Sequence, residues 1–315
     1  MKYARLGKTP FTVSKICFGA LPMGPLQSSL SITKGKEVIR TALELGVNFI
    51  DTAQTYGTYP YIKAALKGWH RDVIVATKSY AFSREVMAKS LEDARKGLDR
   101  DKIDIFALHE QESWLTIKGH WQAVEYLLEA KAKGIVGAVG ISTHAVDAVR
   151  AATGIKEIEV IHPLLNMQGL GILDGTLKEM LDAVRLAALK GKGIYGMKAI
   201  GGGNLAGNVK EALAWAFNLD MVHSFAVGMK SEAEVRVNVA WLLGQEPSME
   251  DLKEVLYRKK VLHIEEWCLG CGKCTKLCPQ QALSIVNTRA VVEEKKCLLC
   301  GYCARACRDF CIKVI

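Results

Sequence analysis

The sequence predicts an α/β protein: a (β/α)8 TIM barrel followed by a small α+β domain rich in cysteine. Three observations carry this. Short β-rich apolar runs alternate eight times with longer stretches of helical apolar spacing between Ile16 and about Leu243. Nine of the ten cysteines fall between Cys268 and Cys311, leaving Cys17 alone in the first four fifths of the chain. Half of the 315 residues are apolar and 24% charged, with 28 Gly and 7 Pro, which excludes disordered and collagen-like chains. A single core stops growing at about 250–300 residues, so one barrel-sized domain with a small appendage is expected rather than several equal domains.

Ahead of the first barrel strand, Tyr3–Leu6 and Phe11–Val13 flank the turn Gly7-Lys8-Thr9-Pro10 and read as a hairpin that plugs the barrel floor. The barrel strands are expected at Ile16–Phe18, Asn48–Asp51, Val73–Thr77, Ile103–Leu108, Val136–Ile141, Glu159–Ile161, Gly193–Met197 and His223–Ala226. The first helix shows the logic: Val38, Ile39, Ala42, Leu43 and Leu45 form an apolar stripe on Lys34–Leu45, and Gly46 stands where a C-terminal cap belongs. Eight such units in about 230 residues fit a barrel, whose chemistry sits where strands end and βα loops begin. A doubly wound sheet is the rival, but no GxGxxG follows a strand and opens a helix. After Gly244, Pro247-Ser248 opens a helical stretch from Met249 to Lys260. Acidic Glu250, Asp251 and Glu254 lie at its start and basic Arg258, Lys259 and Lys260 at its end, matching the helix dipole. These breaks place the barrel at 1–246, a connecting helix at 247–260 and the cysteine-rich domain at 261–315.

The net charge of +9 would taken bare suggest an anionic partner. Eight thiolates around two cubane cores of about +2 each would lower it by about 4. The remaining excess suits a phosphate-bearing cofactor or an acidic protein partner, with solvated helix faces accounting for most of the charges. No Lys/Arg block of nucleic-acid type is present, so nucleic acid is not an expected partner. No apolar h-region follows Met1-Lys2-Tyr3, and no run reaches the ~18 apolar residues of a membrane span. A cytoplasmic protein without a membrane partner is therefore expected.

Cys268-x2-Cys271-x2-Cys274-x3-Cys278-Pro279 is the bacterial iron–sulfur run, and Cys297-x2-Cys300-x2-Cys303-x3-Cys307 repeats it. In two-cluster ferredoxins the fourth cysteine of each run ligates the other cluster. That assigns Cys268, Cys271, Cys274 and Cys307 to one 4Fe–4S cluster and Cys297, Cys300, Cys303 and Cys278 to the second. About 55 residues are too few for a comfortable core of their own, so the clusters would fold this domain. Structural zinc prefers paired C-x2–4-C knuckles and disulfides suit exported chains, which leaves both as weaker alternatives. Between the runs, Ala282–Val286 and Ala290–Val292 around Asn287-Thr288 read as a hairpin. The tail resembles the bacterial two-cluster ferredoxins over nearly all its length, so a ferredoxin-like fold is expected. Arg308 stands where the second run usually carries Pro, and Cys311 is spare, read as a buried small residue.

In the barrel, Asp51-Thr52-Ala53-Gln54-Thr55-Tyr56-Gly57 ends the second strand, Ala76-Thr77-Lys78 the third and Leu108-His109 the fourth. Asp51, Tyr56, Lys78 and His109 would converge on the barrel mouth. A Tyr hydroxyl of pKa ~10 is a poor acid–base group at neutral pH unless a neighbouring cation favours its phenolate. Lys78 can supply that charge, Asp51 would hold and aim Lys78, and His109 could bond the same substrate oxygen. Singly, an end-of-strand Asp caps a helix, a lone His is a satisfied polar residue and a Lys is solvated; together those readings need four coincidences.

On these residues, and on Arg5-Leu6-Gly7-Lys8-Thr9 and Phe18-Gly19, the chain to about Gln245 resembles the aldo-keto reductase superfamily. The family's Asp, Tyr, Lys, His tetrad falls on Asp51, Tyr56, Lys78 and His109. The resemblance implies that Tyr56 protonates a carbonyl oxygen as hydride arrives from NADP(H) or NAD(H), that Lys78 tunes it, that Asp51 anchors Lys78 and that His109 orients the carbonyl. It also implies cofactor contacts. Ser142 and Thr143, within Gly140-Ile141-Ser142-Thr143-His144, and Asn166 would meet the carboxamide, with His162 where a Gln is common. Lys198, Gly203 and Leu205 belong to the loop that wraps the pyrophosphate, where small side chains let backbone N–H groups approach an anion. Lys230, Ser231, Arg236 and Asn238 would meet the adenosine phosphate and adenine, with Val237 where many members carry an acidic contact.

The expected function is an NAD(P)H-dependent oxidoreductase that reduces an aldehyde or ketone to an alcohol, or the reverse. Its two 4Fe–4S clusters would serve structure or electron transfer to a soluble partner. Two alternatives stay open. In one, ferredoxin-level electrons feed one-electron chemistry in the barrel without nicotinamide. In the other, the chain is a non-enzymatic redox-sensing subunit, like the barrel-shaped potassium-channel β subunits, against which the intact tetrad speaks. The loop from Gln111 to Gly119 with Trp114, and Tyr59 to Tyr61, are either pocket walls or plain helix-to-barrel packing.

Overall fold

The computed structural model describes residues 1–258 and 260–315; of the basic helix end expected at Arg258 to Lys260, Lys259 lies outside the described residues. Strands β1 (Tyr3–Arg5) and β2 (Thr12–Ser14) form the expected antiparallel hairpin. Eight parallel strands follow: β3 (Ile16–Gly19), β4 (Phe49–Asp51), β5 (Ile74–Ser79), β6 (Ile103–Leu108), β7 (Val136–Thr143), β8 (Val160–Pro163), β9 (Gly193–Met197) and β10 (Ser224–Gly228). They close in the order β10-β3-β4-β5-β6-β7-β8-β9, and their ends differ from the expected ones by at most two residues. Parallel strands covered on both faces need near-continuous apolar runs, and β5 and β6 are buried throughout.

The hairpin plugs the floor. Leu6 and Val13 pack with the inward-facing Cys17, Phe49, Ile74, Ile105, Val160 and Tyr195. A larger apolar layer joins the barrel wall to its helices. The first helix spans Ile32–Glu44, starting two residues earlier than expected because the Ser31 hydroxyl accepts the Lys34 N–H at 3.2 Å as an N-cap. Gly46 takes φ +88° just beyond its end, a conformation that disfavours any residue with a Cβ. Tyr59 and Tyr61 are packing residues: their hydroxyls bond Thr77 Oγ1 and the Leu30 carbonyl, both at 2.7 Å.

The connecting helix is Met249–Tyr257, shorter than the expected Met249–Lys260. It lies on helix Glu232–Leu242, where the Arg236 guanidinium grips both oxygens of Asp251 at 2.6–3.0 Å. In the tail, β11 (Leu262–Ile264) pairs with β14 (Ile312–Val314), and β12 (Leu283–Val286) with β13 (Arg289–Val292). The second pair is the expected hairpin, and Asn287 and Thr288 both adopt positive φ at its turn. The tail docks on the face where barrel strands end: Asn204 Nδ2 donates to the Ile312 carbonyl at 3.1 Å and the Arg305 guanidinium to Gln168 Oε1 at 3.3 Å. Among the described residues, no helix is long and apolar enough to cross a membrane.

Candidate active site

The barrel register pairs Asp51 with Ala76 and Lys78 with Ala107, which brings the ends of β4, β5 and β6 to one level. Asp51 closes β4, Tyr56 sits on the short turn Gln54–Tyr56 just after it, Lys78 lies in β5, and His109 follows β6. The Lys78 ammonium is 1% exposed and donates to Asp51 Oδ1 at 2.6 Å and to the Thr52 carbonyl at 2.8 Å. Asp51 Oδ1 also accepts the Tyr195 hydroxyl at 3.0 Å. A buried ion pair offsets its desolvation only with such added hydrogen bonds. Lys78 Nζ stands 5.4 Å from the Tyr56 ring centre, and the Tyr56 and His109 rings meet edge-on at 5.7 Å. All four tetrad residues expected from the sequence therefore converge.

Their charge balance differs from the sequence expectation in one respect. Burial, and then the Asp51 and Glu110 carboxylates, push the Tyr56 hydroxyl well above the usual phenol value. The Lys78 charge is offset by Asp51, so Tyr56 is held protonated, as a donor. Burial, followed by the charge of Lys78, pushes His109 well below its ordinary value, and it is a neutral imidazole stacked on Tyr80 at 4.4 Å. Tyr80 in turn donates to Glu110. Tyr195 and Tyr80 escaped the sequence reading because an aromatic inside a buried strand, or just past one, looks like any core residue.

His162, in β8, stacks on Tyr195 with ring centres 3.8 Å apart. Its Nδ1 lies 2.6 Å from the Tyr195 carbonyl, which can only accept, so that nitrogen carries the proton. Nε2 is 3.8 Å from Asp51 Oδ1. Burial, partly opposed by Asp51, pulls the His162 pKa from 6.5 down to about 4. The unfolded chain then binds this proton at higher pH than the folded one. The associated stability is complete above pH 6.5 and falls as the pH drops toward about 4, by about 3 kcal/mol in all. His162→Gln is expected to remove that share of the acid destabilisation in urea melts between those pH values; identical pH slopes in variant and wild type would refute the assignment.

A cavity of about 260 Å³ runs from Asp51, Tyr56 and His162 past Lys198, Gly202 and Gly203 to Lys230, Asn238 and Trp241, with Lys260, Lys313, Val314 and Ile315 also lining it. Four of the expected cofactor residues therefore line it: Lys198, Gly203, Lys230 and Asn238. Ser142, Thr143 and Asn166 do not; all are fully buried and committed to the backbone. Ser142 Oγ accepts the Glu110 N–H at 2.9 Å and Thr143 Oγ1 the Ala145 N–H at 2.8 Å. Asn166 Oδ1 accepts the Gln168 and Leu170 N–H groups, and its Nδ2 donates to the Leu170 carbonyl. Leu205 is buried against Gly201. Ser231 and Arg236 line a neighbouring cavity of about 390 Å³ with Lys34, Lys230 and Arg258. There the Ser231 hydroxyl caps the 11-residue helix Glu232–Leu242 and Arg236 is held by Asp251.

Lys230 lies beside that helix N-terminus, where its backbone N–H donates to the Glu234 carboxylate at 2.7 Å, and its ammonium and the N-terminus together suit a phosphate. Lys198 takes φ +59°, a left-handed backbone that costs a side-chain-bearing residue about 1–2 kcal/mol. Burial, then the neighbouring Lys313, lowers its pKa to about 7. Taken together, the cavity fits an elongated phosphate-bearing ligand with one end at Tyr56 and the other at Lys230.

In the tail, Cys268, Cys271, Cys274 and Cys307 surround one small cavity, and Cys278, Cys297, Cys300 and Cys303 another, the same two groups that the two-cluster ferredoxin pattern assigns. Among the described residues, no three His, Cys, Asp or Glu side chains approach closely enough to hold a single metal ion. A cluster spreads its four thiolates over separate iron corners, whereas zinc gathers all its ligands around one ion. Gly272 and Gly301, each following the second cysteine of its run, take φ +73° and +77° and turn the chain into matching short helices. Backbone N–H groups of Ala282, Ala290 and Cys311 donate to Cys278, Cys268 and Cys307 Sγ at 3.3, 3.5 and 3.2 Å, as suits thiolate ligands. Cys311 is buried, as expected of a spare cysteine, and shares the lining of the first cavity.

Residues 15–212 match the family model described as the aldo/keto reductase family, and residues 260–308 the one described as a 4Fe-4S dicluster domain. Among curated proteins, L-galactose dehydrogenase of Arabidopsis thaliana is 28% identical over 201 residues, 60% of this chain and 61% of that one. Methylglyoxal reductase DkgA of Escherichia coli (strain K12) is 27% identical over 174 residues, 51% of this chain and 62% of its own. The chain thus spans less than two thirds of these relatives. Among solved structures, aldo-keto reductase AKR11C1 from Bacillus halodurans in its holo form superposes with a TM-score of 0.64 at 20% identity, covering 81% of this chain and 95% of that one, a likeness of fold.

Proposed function

Since this chain belongs to the aldo/keto reductase family and carries an iron–sulfur domain behind its barrel, we propose that it is an NAD(P)H-dependent carbonyl oxidoreductase holding two 4Fe–4S clusters. The observation that carries this reading is the convergence of Tyr56, Lys78, Asp51 and His109, of which Tyr56 and Asp51 line one end of a cavity whose other end presents Lys230 and a helix N-terminus. A nicotinamide bound there would supply the hydride that reaches the carbonyl carbon. Lys230, Asn238 and the first turn of helix Glu232–Leu242 would hold its adenosine phosphate end, and the Gly201–Gly203 loop its pyrophosphate. His162 and Met197 would face the nicotinamide. Ser142, Thr143 and Asn166 would reach a carboxamide only after releasing the backbone groups they now bond.

The rest is done by the chain's own side chains. Tyr56, a protonated phenol, gives its proton to the substrate oxygen as negative charge develops there. Lys78, fixed by Asp51 and Thr52, places a positive charge 5.4 Å from the Tyr56 ring centre and stabilises the phenolate left behind. The neutral His109 retains one N–H, which orients the same oxygen. Cys268, Cys271, Cys274 and Cys307 would hold one cluster, and Cys278, Cys297, Cys300 and Cys303 the other, each passing single electrons within the protein or to a soluble partner.

One observation favours the ferredoxin-linked reading without nicotinamide: Phe310 and Lys313 of the tail reach the barrel mouth beside Lys198 and His144. Titration of anaerobically prepared, cluster-loaded protein with NADPH and with NADH separates the two. Followed by tryptophan fluorescence and cluster absorbance, it is expected to give saturable binding with unchanged clusters. Bleaching on nucleotide addition would make the clusters part of the turnover, and no binding of either nucleotide would overturn the favoured reading.

A further inference from the structure

The last six residues of the chain lie on the barrel's glycine-rich loop. Asn204 bonds the Ile312 carbonyl, and a Cβ at Gly203, where φ is +85°, would collide with the Val314 carbonyl. Gly202, at φ +62°, faces the Phe310 ring, 2.8 Å from where its own Cβ would stand. On the opposite side Gly171, at φ +88°, leaves the ring 2.5 Å from its Cβ position. The two glycines are a socket, and Phe310 fills it with 3% of its surface exposed. Lys198 Nζ stands 4.3 Å from the ring centre, and His144 packs edge-on against it. Beyond the ring, Lys313, Val314 and Ile315 line the same cavity as Tyr56 and Lys198.

This segment is tied at its other end to a cluster ligand. The Phe310 N–H donates to the Cys307 carbonyl at 3.3 Å and the Cys311 N–H to Cys307 Sγ at 3.2 Å. Phe310 itself takes a left-handed φ of +50°, which the turn from Cys307 must enforce. What else holds the segment is slight: β14 and β11 are three residues each, joined by a buried ion pair of Lys313 with Glu265. An isolated two-stranded ribbon of that length is not stable alone.

We propose that Lys313–Ile315 is a built-in wall of the barrel's ligand cavity, held there by the iron–sulfur cluster bound through Cys307, with Phe310 as the positioning residue. The identity of the ligand, a nicotinamide dinucleotide, and the cluster at Cys307 rest on the function proposed above; the packing of the wall on the barrel does not. Loading of that cluster then sets how firmly the cavity closes, and the second cluster, bounded by Cys300 and Cys303, is not needed for it.

Phe310→Ala in cluster-loaded protein tests this. Cluster absorbance per chain is expected to stay at the wild-type value. Hydrogen exchange of the backbone at 198–206 should rise at least tenfold, and NADPH should dissociate at least tenfold faster, with Phe310→Leu restoring part of both. Leu298→Ala, an exposed change beside the other cysteine set, should alter neither. Gly171→Ala attacks the socket from the barrel side and should reproduce the loop exchange even where Phe310→Ala assembles poorly. Wild-type exchange in the loop of both Phe310→Ala and Gly171→Ala overturns the proposal. If the wild type binds no NADPH, the cofactor reading falls while the exchange measurement still decides the wall.

Discussion

Tyr56→Phe is expected to lower kcat/KM for carbonyl reduction by about 10²–10⁴-fold, the usual worth of a positioned proton donor, with cluster absorbance unchanged. The expectation follows from what surrounds the hydroxyl. Burial and the carboxylates of Asp51 and Glu110 keep the phenol protonated, so the wild type enters each turnover with the proton in place. No neighbour can replace it: the Lys78 ammonium is turned toward Asp51 and the Thr52 carbonyl, and His109 is held neutral by burial and by Lys78. Removing one oxygen leaves the ring, its contact with His109 and the buried ion pair in place, so folding should be unaffected. Steady-state kinetics on a simple aldehyde check this, and a variant that keeps more than about a tenth of wild-type turnover would remove Tyr56 from the role of acid.

How far the sequence carries differs between the parts of this site for physical reasons. Strands such as Ile103–Leu108 are buried on both faces and must be apolar throughout, so they stand out, and a polar residue at their end, His109, stands out with them. The cysteine runs are local chemistry, and with the crossed ligation of two-cluster ferredoxins they yield the two groups of four that line the two small cavities. What stays hidden is what depends on partners remote in sequence. Tyr195 reads as a core aromatic until its hydroxyl is seen on Asp51, 144 positions away. Ser142, Thr143 and Asn166 match a cofactor pattern, yet each satisfies a nearby backbone group that no pattern displays. Seating of Phe310 between Gly171 and Gly202 needs three segments at once, and nothing in any one of them announces it. Even the start of the first helix turns on Ser31, a cap outside the apolar stripe.

Cys271→Ser is expected to unfold the tail while leaving the barrel standing. Cys271 is exposed, so replacing its sulfur removes almost no packing, and whatever follows reports the cluster. The domain has little else: a small core around Leu262, Ile264, Leu283 and Ile312, with Cys274 and Cys303 as part of it, and two short strand pairs. Metal-binding free energy in such a domain is folding free energy, so losing one ligand set should abolish protection of β11 and β14 in hydrogen exchange. The barrel's own core should keep its thermal transition. Activity separates the functional readings. If the clusters deliver the reducing electrons, turnover with nucleotide should vanish. If hydride comes from nicotinamide, kcat should be largely retained while the KM for nucleotide rises, because Cys271 shares its cavity with Cys307 and the wall at Phe310 loosens. Cys300→Ser is the control, since it is equally exposed but belongs to the other set and should disturb nucleotide affinity less. A Cys271→Ser protein with a fully protected tail would show that packing, not metal, builds this domain.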